Sequence, residues 1–235
     1  MAERLIFISS ENTNAPYYTE KLVQFTYFSG FAVSQKQKCI RSLHENALLQ
    51  FPGQKILEIS TKSEDPIGTR LSAFNLRLTD EETGISYPLE NVFQSSKVYE
   101  NGGPYRDMLN LPPRDAKRDE RHHSSGRLLG FTWKGWECPL EPKTMFYDWI
   151  YCKALSEDIS LVESVMESGY TMFTDIEFNH KKSINCQARS MAIFTSLYKR
   201  GELMTFLSDK SKWASIYSQP KTNNQTKQIS FDFFS

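Results

Sequence analysis

YPLENVFQSSK, from Tyr87 to Lys97, decides the fold because it joins a predicted hairpin to a helix and sets charged groups among apolar ones. At helical spacing Glu90, Gln94 and Lys97 share one face, with apolar residues on the adjoining side. The proline of the stretch suits a first helical turn, and NGGP at residues 101–104 supplies a stop. The pattern therefore predicts one helix that includes Lys97. Its polar stripe has two interpretations, a face exposed to water or a functional site.

The sequence before this stretch predicts short strands and one long helix. Alternating Phe74, Leu76 and Leu78 lead into a polar turn, which indicates a hairpin. LIFIS at residues 5–9 and KILEIS at residues 55–60 are further predicted strands. An amphipathic helix is predicted over residues 34–51. Its core side consists of Cys39, Ile40, Leu43, Ala47 and Leu48.

After residue 140 the pattern becomes helical. Helices are predicted over residues 141–155, over 156–169 with Ser156 as the N-cap, and over 183–201. Strands and helices are segregated along the chain, which predicts an α+β fold, mostly helical, around a small hairpin sheet in one compact domain. We divide it into an N-terminal α/β extension (1–65), a core (66–210) and a C-terminal tail (211–235) whose SFDFF segment is compatible with a terminal strand.

Composition excludes several classes of protein. Lys and Arg number 28, as do Asp and Glu, so broad electrostatic binding to nucleic acid is not expected. A local basic patch at residues 112–127 remains, with a solvated helix face as its alternative. The four cysteines are scattered, which predicts neither a disulfide framework nor a metal site. Glycine-rich nucleotide loops, a signal peptide and membrane spans are all missing from the sequence, so we expect a cytoplasmic protein without a cofactor or membrane contact.

The order of these blocks resembles the NADAR superfamily, proteins named for NAD and ADP-ribose that include the YbiA-type N-glycosidases. LSAF at residues 71–74 is followed by the hairpin, the opening stretch, AKRDER at residues 116–121 and a helix that contains tryptophan. The resemblance runs roughly from Ser72 to Arg200 and implies a NADAR-like fold for the core. Within the opening stretch the matching positions are Tyr87, Glu90, Phe93, Gln94 and Lys97.

Two segments resemble one branch of that superfamily. Commoner members usually have histidine where this chain has Asn91, and the segment at residues 173–190 replaces their C-terminal motifs. YENGGPYRDML at residues 99–109 and LEPKTMFYDWIY at residues 140–151 are similar to the antitoxins found beside DarT-type ADP-ribosyltransferase toxins. The resemblance implies an enzyme that removes ADP-ribose from guanine bases of nucleic acid, with a DarT-like toxin as its functional partner. Hydrolysis of a small riboside of riboflavin biosynthesis and non-catalytic binding of ADP-ribose are the alternatives.

The chemistry of that reaction suits Glu90 and Lys97. Cleavage of an N-glycosidic bond places positive charge on the sugar, which a carboxylate stabilises, and Glu90 can also activate a water. Lys97 can instead capture C1 of the ribose as a Schiff base. On one helix their spacing gives a rise of about 10 Å, so we expect them to bracket the ribose, with Gln94 between them.

Further site residues are predicted by chemical type. Asp175 and Glu177 alternate as strand neighbours in TDIEF and are candidate second acids. Candidates for binding diphosphate are Arg118, Arg121 and Lys143, with a surface role as the alternative. Candidates for stacking on a base are Trp149, Tyr147 and Phe178, with a core role as the alternative. The remaining predicted ligand contacts are Ser72, Phe74, Asn75, Tyr87, Phe93, Gln94 and Asn185.

Overall fold

The computed structural model describes residues 1–181 and 183–218. Its strands in chain order are β1 (Ala2–Ser9), β2 (Tyr18–Phe25), β3 (Ile56–Glu58), β4 (Arg77–Thr79), β5 (Ser86–Pro88), β6 (Lys97–Tyr99), β7 (Leu128–Trp133), β8 (Trp136–Pro139) and β9 (Met172–Thr174). Its helices are α1 (Val33–Gln50), α2 (Pro66–Arg70), α3 (Leu89–Ser95), α4 (Pro113–Arg118), α5 (Arg121–Ser124), α6 (Met145–Glu157), α7 (Ile159–Ser168), α8 (Gln187–Lys199), α9 (Leu203–Ser208) and α10 (Lys210–Ser215), with a 3-10 helix at Arg106–Asn110.

A four-stranded sheet separates two hydrophobic clusters. Its order is β2-β1-β9-β3, with β3 parallel to β9 and the other pairs antiparallel. Successive side chains on a strand point to opposite faces. Ile6 and Met172 therefore pack with α1 on one face, while their neighbours Phe7 and Phe173 join the larger core on the other. The sheet thus places the end of β9 between α1 and the main body.

Helix α8 forms the centre of the larger core, where every residue from Ala188 to Leu197 is buried. It packs against α6, whose residues Met145 to Cys152 are also buried. The indole of Trp213 on α10 is fully buried and donates a hydrogen bond to the carbonyl of Met145 across 3.0 Å. Among residues 1–181 and 183–218, no helix combines the length and apolarity that crossing a membrane requires.

Helix α3 is fixed at both ends by strands. It follows β5 directly, and the backbone N–H groups of Leu89 and Glu90 donate to the carbonyls of Leu76 and Ala73. At its other end the carbonyl of Ser96 accepts from the N–H of Thr132 in β7. The short helix is therefore held rigidly between the β4-β5 hairpin and the β6-β7-β8 sheet.

Most predicted elements are confirmed, including the α+β class, β1, β3, α1, the β4-β5 hairpin and helices α6 to α8. The helix predicted through Lys97 is wrong, because α3 ends at Ser95 and Lys97 begins β6. Leu48 is 37% exposed, so its predicted place in the core is also wrong. The N-cap of α7 is Asp158 and not Ser156, and its carboxylate accepts from the N–H of Leu161 across 3.0 Å.

The division of the chain at residues 65 and 210 stays a prediction. Strands β1, β2 and β3 come from the proposed N-terminal extension, and they share one sheet with β9 from the proposed core. Helix α10 crosses the proposed start of the tail at residue 211. The SFDFF segment at residues 230–234 lies outside the described residues.

Candidate functional site

An open cavity of about 460 Å³ lies against α3. Small-molecule sites commonly measure about 300–1,000 Å³, so the volume suits a ligand of nucleotide size. The wall draws on the β3-α2 segment, the turn before β4, α3, α4, α6 and the segment after β9. The lining residues are Ser60, Thr61, Lys62, Ser72, Phe74, Glu90, Phe93, Gln94, Arg114, Lys117, Arg118, Tyr147, Asp175, Glu177, Phe178, Ser183, Ile184, Asn185 and Gln187.

Glu90 and Gln94 lie side by side on the cavity face of α3. They are 5% and 4% exposed, and Gln94 Nε2 donates to Glu90 Oε1 across 2.7 Å. Lys117 Nζ lies 3.6 Å from the same oxygen. The interpretation of this stripe as a solvated face is wrong, because every residue of α3 is buried. A buried carboxylate that borders a cavity is an arrangement typical of functional sites.

Lys97 is not one of the residues that line the cavity. Its Nζ is 5.1 Å from the ring centroid of Phe93, which does line the cavity. The pKa of Lys97 is lowered to about 8, chiefly by burial; the charge of Glu90 opposes this shift and that of Lys117 contributes to it. Lys97 is thus not on the helix of Glu90, so the predicted separation by two turns of one helix is wrong. That the two groups bracket a ribose stays a prediction.

Three cations of α4 face the cavity. Arg114, Lys117 and Arg118 fall at i, i+3 and i+4, so they share one side of the helix. Lys117 pairs with Glu90, whereas Arg114 and Arg118 form no salt bridge with another described residue. The structure thus brings the predicted Arg118 to the cavity together with two cations that sequence reasoning missed.

The other two predicted diphosphate ligands lie away from the cavity. Arg121 pairs with Asp107 at 2.7 Å and with Asp119 at 2.8 Å, and its guanidinium lies over the ring of Tyr105. Lys143 Nζ is 3.9 Å from Glu141, and Lys143 is absent from the lining. Arg121 is already neutralised by two carboxylates, which explains why it is not available to the cavity.

Asp175 and Glu177 both line the cavity, but they do not share a strand face as predicted. Strand β9 ends at Thr174, and the chain turns at the next residue. Asp175 is 5% exposed and its Oδ1 accepts from the backbone N–H groups of Glu177 and Phe178. Burial raises the pKa of Asp175. Glu177 is half exposed and pairs with Lys36 at 3.2 Å.

The aromatic wall consists of Phe74, Phe93, Tyr147 and Phe178, which are all among the predicted contacts. Trp149 does not reach the cavity, because its indole N–H donates to the carbonyl of Leu207 across 3.1 Å inside the core. Trp149 therefore has the core role that was the alternative to stacking on a base. The other four rings offer apolar surface to a ligand.

Of the remaining residues predicted to contact a ligand, two line the cavity and two do not. Ser72 and Asn185 line the cavity, whereas Asn75 and Tyr87 do not. Asn75 donates its side-chain amide to the carbonyl of Thr69 across 2.8 Å, and Tyr87 lies in β5 opposite Leu78.

Two side-chain acceptors on the cavity wall are buried and have no hydrogen-bond partner among the described residues. They are Oε1 of Gln94 and Oδ1 of Asn185. Burying such an atom without a partner costs free energy, so a ligand donor that reaches it is bound favourably. The hydroxyl groups of a sugar and the amino groups of a base are donors of that kind.

Sequence reasoning missed the β3-α2 segment as part of the site. Ser60, Thr61 and Lys62 line the cavity, although they precede the part of the chain that resembles the NADAR superfamily. No local signal marks them, because parallel pairing of β3 with β9 is what brings them to Asp175. For Arg114 and Lys117 a signal was present in the helical spacing of PRDAKR.

Comparison with known proteins gives a match to a family model. A family model described as the DarT1-associated NADAR antitoxin matches residues 2–227. The match begins well before Ser72, so it includes the strands and helix of the N-terminal region. No curated protein sequence gives a significant match to the chain.

Proposed function

Because the chain belongs to the family of DarT1-associated NADAR antitoxins, we propose that it is an N-glycosidase that removes ADP-ribose from guanine bases of nucleic acid. In this role it opposes a DarT-like ADP-ribosyltransferase. The observation that carries the proposal is the placement of Glu90, a 5% exposed carboxylate that lines an open cavity of about 460 Å³. A carboxylate placed beside an otherwise neutral sugar is suited to stabilising a developing positive charge on that sugar.

The cations of α4 support an anionic ligand. Arg114, Lys117 and Arg118 line one side of the cavity, and a diphosphate provides the negative charges that such a group binds. Lys117 Nζ is 3.6 Å from Glu90 and its side chain is 54% exposed. It is therefore free to turn toward a phosphate while it remains close to the carboxylate.

The ribose is proposed to lie against α3. Oε1 of Gln94 accepts from a ribose hydroxyl, which orients C1 toward the carboxylate of Glu90. As the bond between C1 and the base nitrogen breaks, its electron pair goes to that nitrogen and positive charge develops at C1. Glu90 stabilises this charge and accepts a proton from the water that adds to C1.

Lys97 offers a covalent alternative to that water. A pKa of about 8 leaves an appreciable neutral fraction of the amine near neutral pH, and a neutral amine can displace the base at C1, the C1–N electron pair leaving with the base. The C1–O4 bond of the ribose then breaks as the proton of the amine passes to O4, and water hydrolyses the resulting imine to release ADP-ribose. For this route the side chain of Lys97 has to rearrange toward the cavity, because Lys97 is not among the lining residues. The direct route through Glu90 needs no such rearrangement.

The aromatic wall supports a base as the leaving group. Phe74, Tyr147 and Phe178 offer faces on which a purine can stack, and enzymes that act on a base in nucleic acid commonly take it out of the helix into such a pocket. A small riboside fits this cavity less well, because it has no diphosphate for the three cations of α4. A non-catalytic reader would gain little from a carboxylate beside an anionic ligand.

The test is hydrolysis of an oligonucleotide that carries ADP-ribose on guanine. We expect release of free ADP-ribose and recovery of the unmodified oligonucleotide, both measured by mass spectrometry. Cells whose growth is inhibited by a DarT-like toxin should grow again when this protein is co-expressed with the toxin. Release only from small ribosides would contradict the antitoxin substrate, and tight binding of ADP-ribose without any release would identify a reader.

A further inference from the structure

The loop between β2 and α1 exposes aromatic side chains to solvent. Phe31 is fully exposed and Tyr27 is 50% exposed, while Val33 at the start of α1 is a third apolar residue, 48% exposed. We call residues 26–32 the aromatic loop. None of these residues lines the cavity, so the reaction proposed above gives them no role. Exposed apolar groups that are gathered in one short segment are typical of a binding surface.

The backbone of the aromatic loop is attached to α1 at three points. The N–H groups of Thr26 and Phe28 donate to side chains of α1 across 3.0 and 3.2 Å. Gly30 packs against the first turn of the helix, where an added Cβ would lie 3.2 Å from a side-chain carbon. The exposed rings of Tyr27 and Phe31 alternate with these points of attachment. A fixed backbone therefore presents both rings to solvent.

The segment that contains this loop carries cations and no acids. Residues 26–44 include Lys36, Lys38 and Arg41 but no Asp or Glu, although the whole chain has 28 residues of each charge. Lys38 Nζ lies 5.9 Å from the ring centroid of Phe28 and forms no salt bridge with a described residue. Exposed aromatic rings among cations are typical of surfaces that bind single-stranded nucleic acid, because bases stack on the rings and phosphates pair with the cations.

Two ion pairs place this segment at the rim of the cavity. Lys36 Nζ lies 3.2 Å from the carboxylate of Glu177, which lines the cavity. Arg41 Nη1 lies 2.5 Å from the carboxylate of Glu64, two residues after the lining residue Lys62. Both pairs are partly exposed, and exposed ion pairs contribute little free energy, so either cation can bind a phosphate instead. A strand whose modified base enters the cavity can therefore continue along α1 to the aromatic loop.

We propose that the aromatic loop is a platform on which unpaired bases next to the modified guanine stack, and that Lys36, Lys38 and Arg41 contact the phosphates of that strand. The inference rests on the proposed N-glycosidase function and adds that the substrate is single-stranded. Every base has a flat face, so stacking on Tyr27 and Phe31 requires no particular sequence. In a duplex these faces are covered by neighbouring base pairs, so the loop contributes nothing to binding of a duplex.

The first test is binding of an unmodified, fluorescently labelled single-stranded DNA, measured by fluorescence anisotropy. We expect Phe31→Ala to raise the Kd by about tenfold, because it removes a ring on which a base stacks. Lys38→Met should reduce the slope of log Kd against log salt by about 0.7, the contribution of one phosphate contact to a single strand. The matched control is Leu49→Ala, which removes an 81% exposed apolar side chain at the other end of α1 and should leave the Kd unchanged. An unchanged Kd in Phe31→Ala would overturn the inference.

The second test compares hydrolysis of two substrates by Phe31→Ala. For a single-stranded oligonucleotide with ADP-ribose on guanine, KM should rise by about tenfold while kcat stays the same. For ADP-ribosylated guanosine, which has no flanking bases, both constants should equal those of the wild type. An equal loss on both substrates would overturn the inference, because the loop would then shape the cavity itself.

Two further outcomes have separate meanings. Weaker neutralisation of a DarT-like toxin by Phe31→Ala, with unchanged hydrolysis of the oligonucleotide, would identify a surface that binds a protein and would also overturn the inference. Failure of the proposed function is a different result, because the wild type would then release no ADP-ribose from either substrate. Binding of the unmodified DNA does not depend on hydrolysis, so it tests the aromatic loop in either case.

Discussion

Gln94 donates its side-chain N–H to Oε1 of Glu90 across 2.7 Å, one helical turn away on the buried face of α3. This bond fixes the carboxylate and uses the amide nitrogen of Gln94, while the amide oxygen of Gln94 is buried without a hydrogen-bond partner among the described residues. The pair therefore presents a negative group and a neutral acceptor side by side. A ribose requires both, since its C1 develops positive charge while its hydroxyl groups donate hydrogen bonds.

We expect Glu90→Gln to lower kcat by at least about 100-fold while ADP-ribose still binds, because a positioned acid or base commonly contributes about 10²–10⁴-fold. The substitution preserves shape and removes the charge. Single-turnover release of ADP-ribose measures the loss, and calorimetric titration with ADP-ribose measures binding. Near-normal turnover in a folded variant would show that the carboxylate takes no part in the reaction.

Lys117 is predicted to bind the diphosphate. Its side chain is 54% exposed and reaches the cavity beside Glu90, so Lys117→Met should raise the Kd for ADP-ribose by about tenfold and weaken the salt dependence of binding. Lys21→Met is the matched control, since Lys21 is exposed on β2 and does not line the cavity. Equal affinities of the two variants for ADP-ribose would contradict this assignment.

The sequence predicted those parts of the site that depend on local periodicity. Glu90 and Gln94 were found because a short helix repeats every three to four residues, and that helix is present. The sequence predicts Lys97 on the same helix, because nothing in the stretch signals that the chain becomes extended after Ser95. Pairing of β6 with β7 takes Lys97 out of the helix, and this partner lies about thirty residues later in the chain.

The rest of the site depends on contacts between distant segments. Ser60 and Lys62 reach the cavity that Asp175 also lines through the parallel pairing of β3 with β9, a contact that neither segment encodes on its own. Arg121 is another example, because one of its two carboxylate partners, Asp107, lies 14 residues earlier in the chain. By residue type alone, Arg118 and Arg121 are equally good candidates for binding a diphosphate. In the structure Arg121 is paired with carboxylates, whereas Arg118 lines the cavity.

Asn91 is predicted to stabilise the fold without touching the ligand. It is fully buried, and its Nδ2 donates to the carbonyls of Met108 at 2.8 Å and Leu111 at 2.7 Å, which attaches the 3-10 helix to α3. Asn91→Ala leaves these carbonyls without their donor, so we expect the free energy of unfolding to fall by about 1–3 kcal/mol. Urea denaturation measures this change. A loss below about 0.5 kcal/mol would indicate that water replaces the amide.

Lys97 distinguishes a covalent from a direct mechanism. Its pKa of about 8 means that the neutral, nucleophilic amine increases as pH rises from about 7 to 9, so borohydride should trap more ADP-ribose adduct over that range. Mass spectrometry should locate the adduct at Lys97, and Lys97→Ala should lose it. If no adduct forms and Lys97→Arg keeps its activity, the residue contributes only positive charge. If Lys97→Ala is also fully active, the reaction proceeds through Glu90 and water.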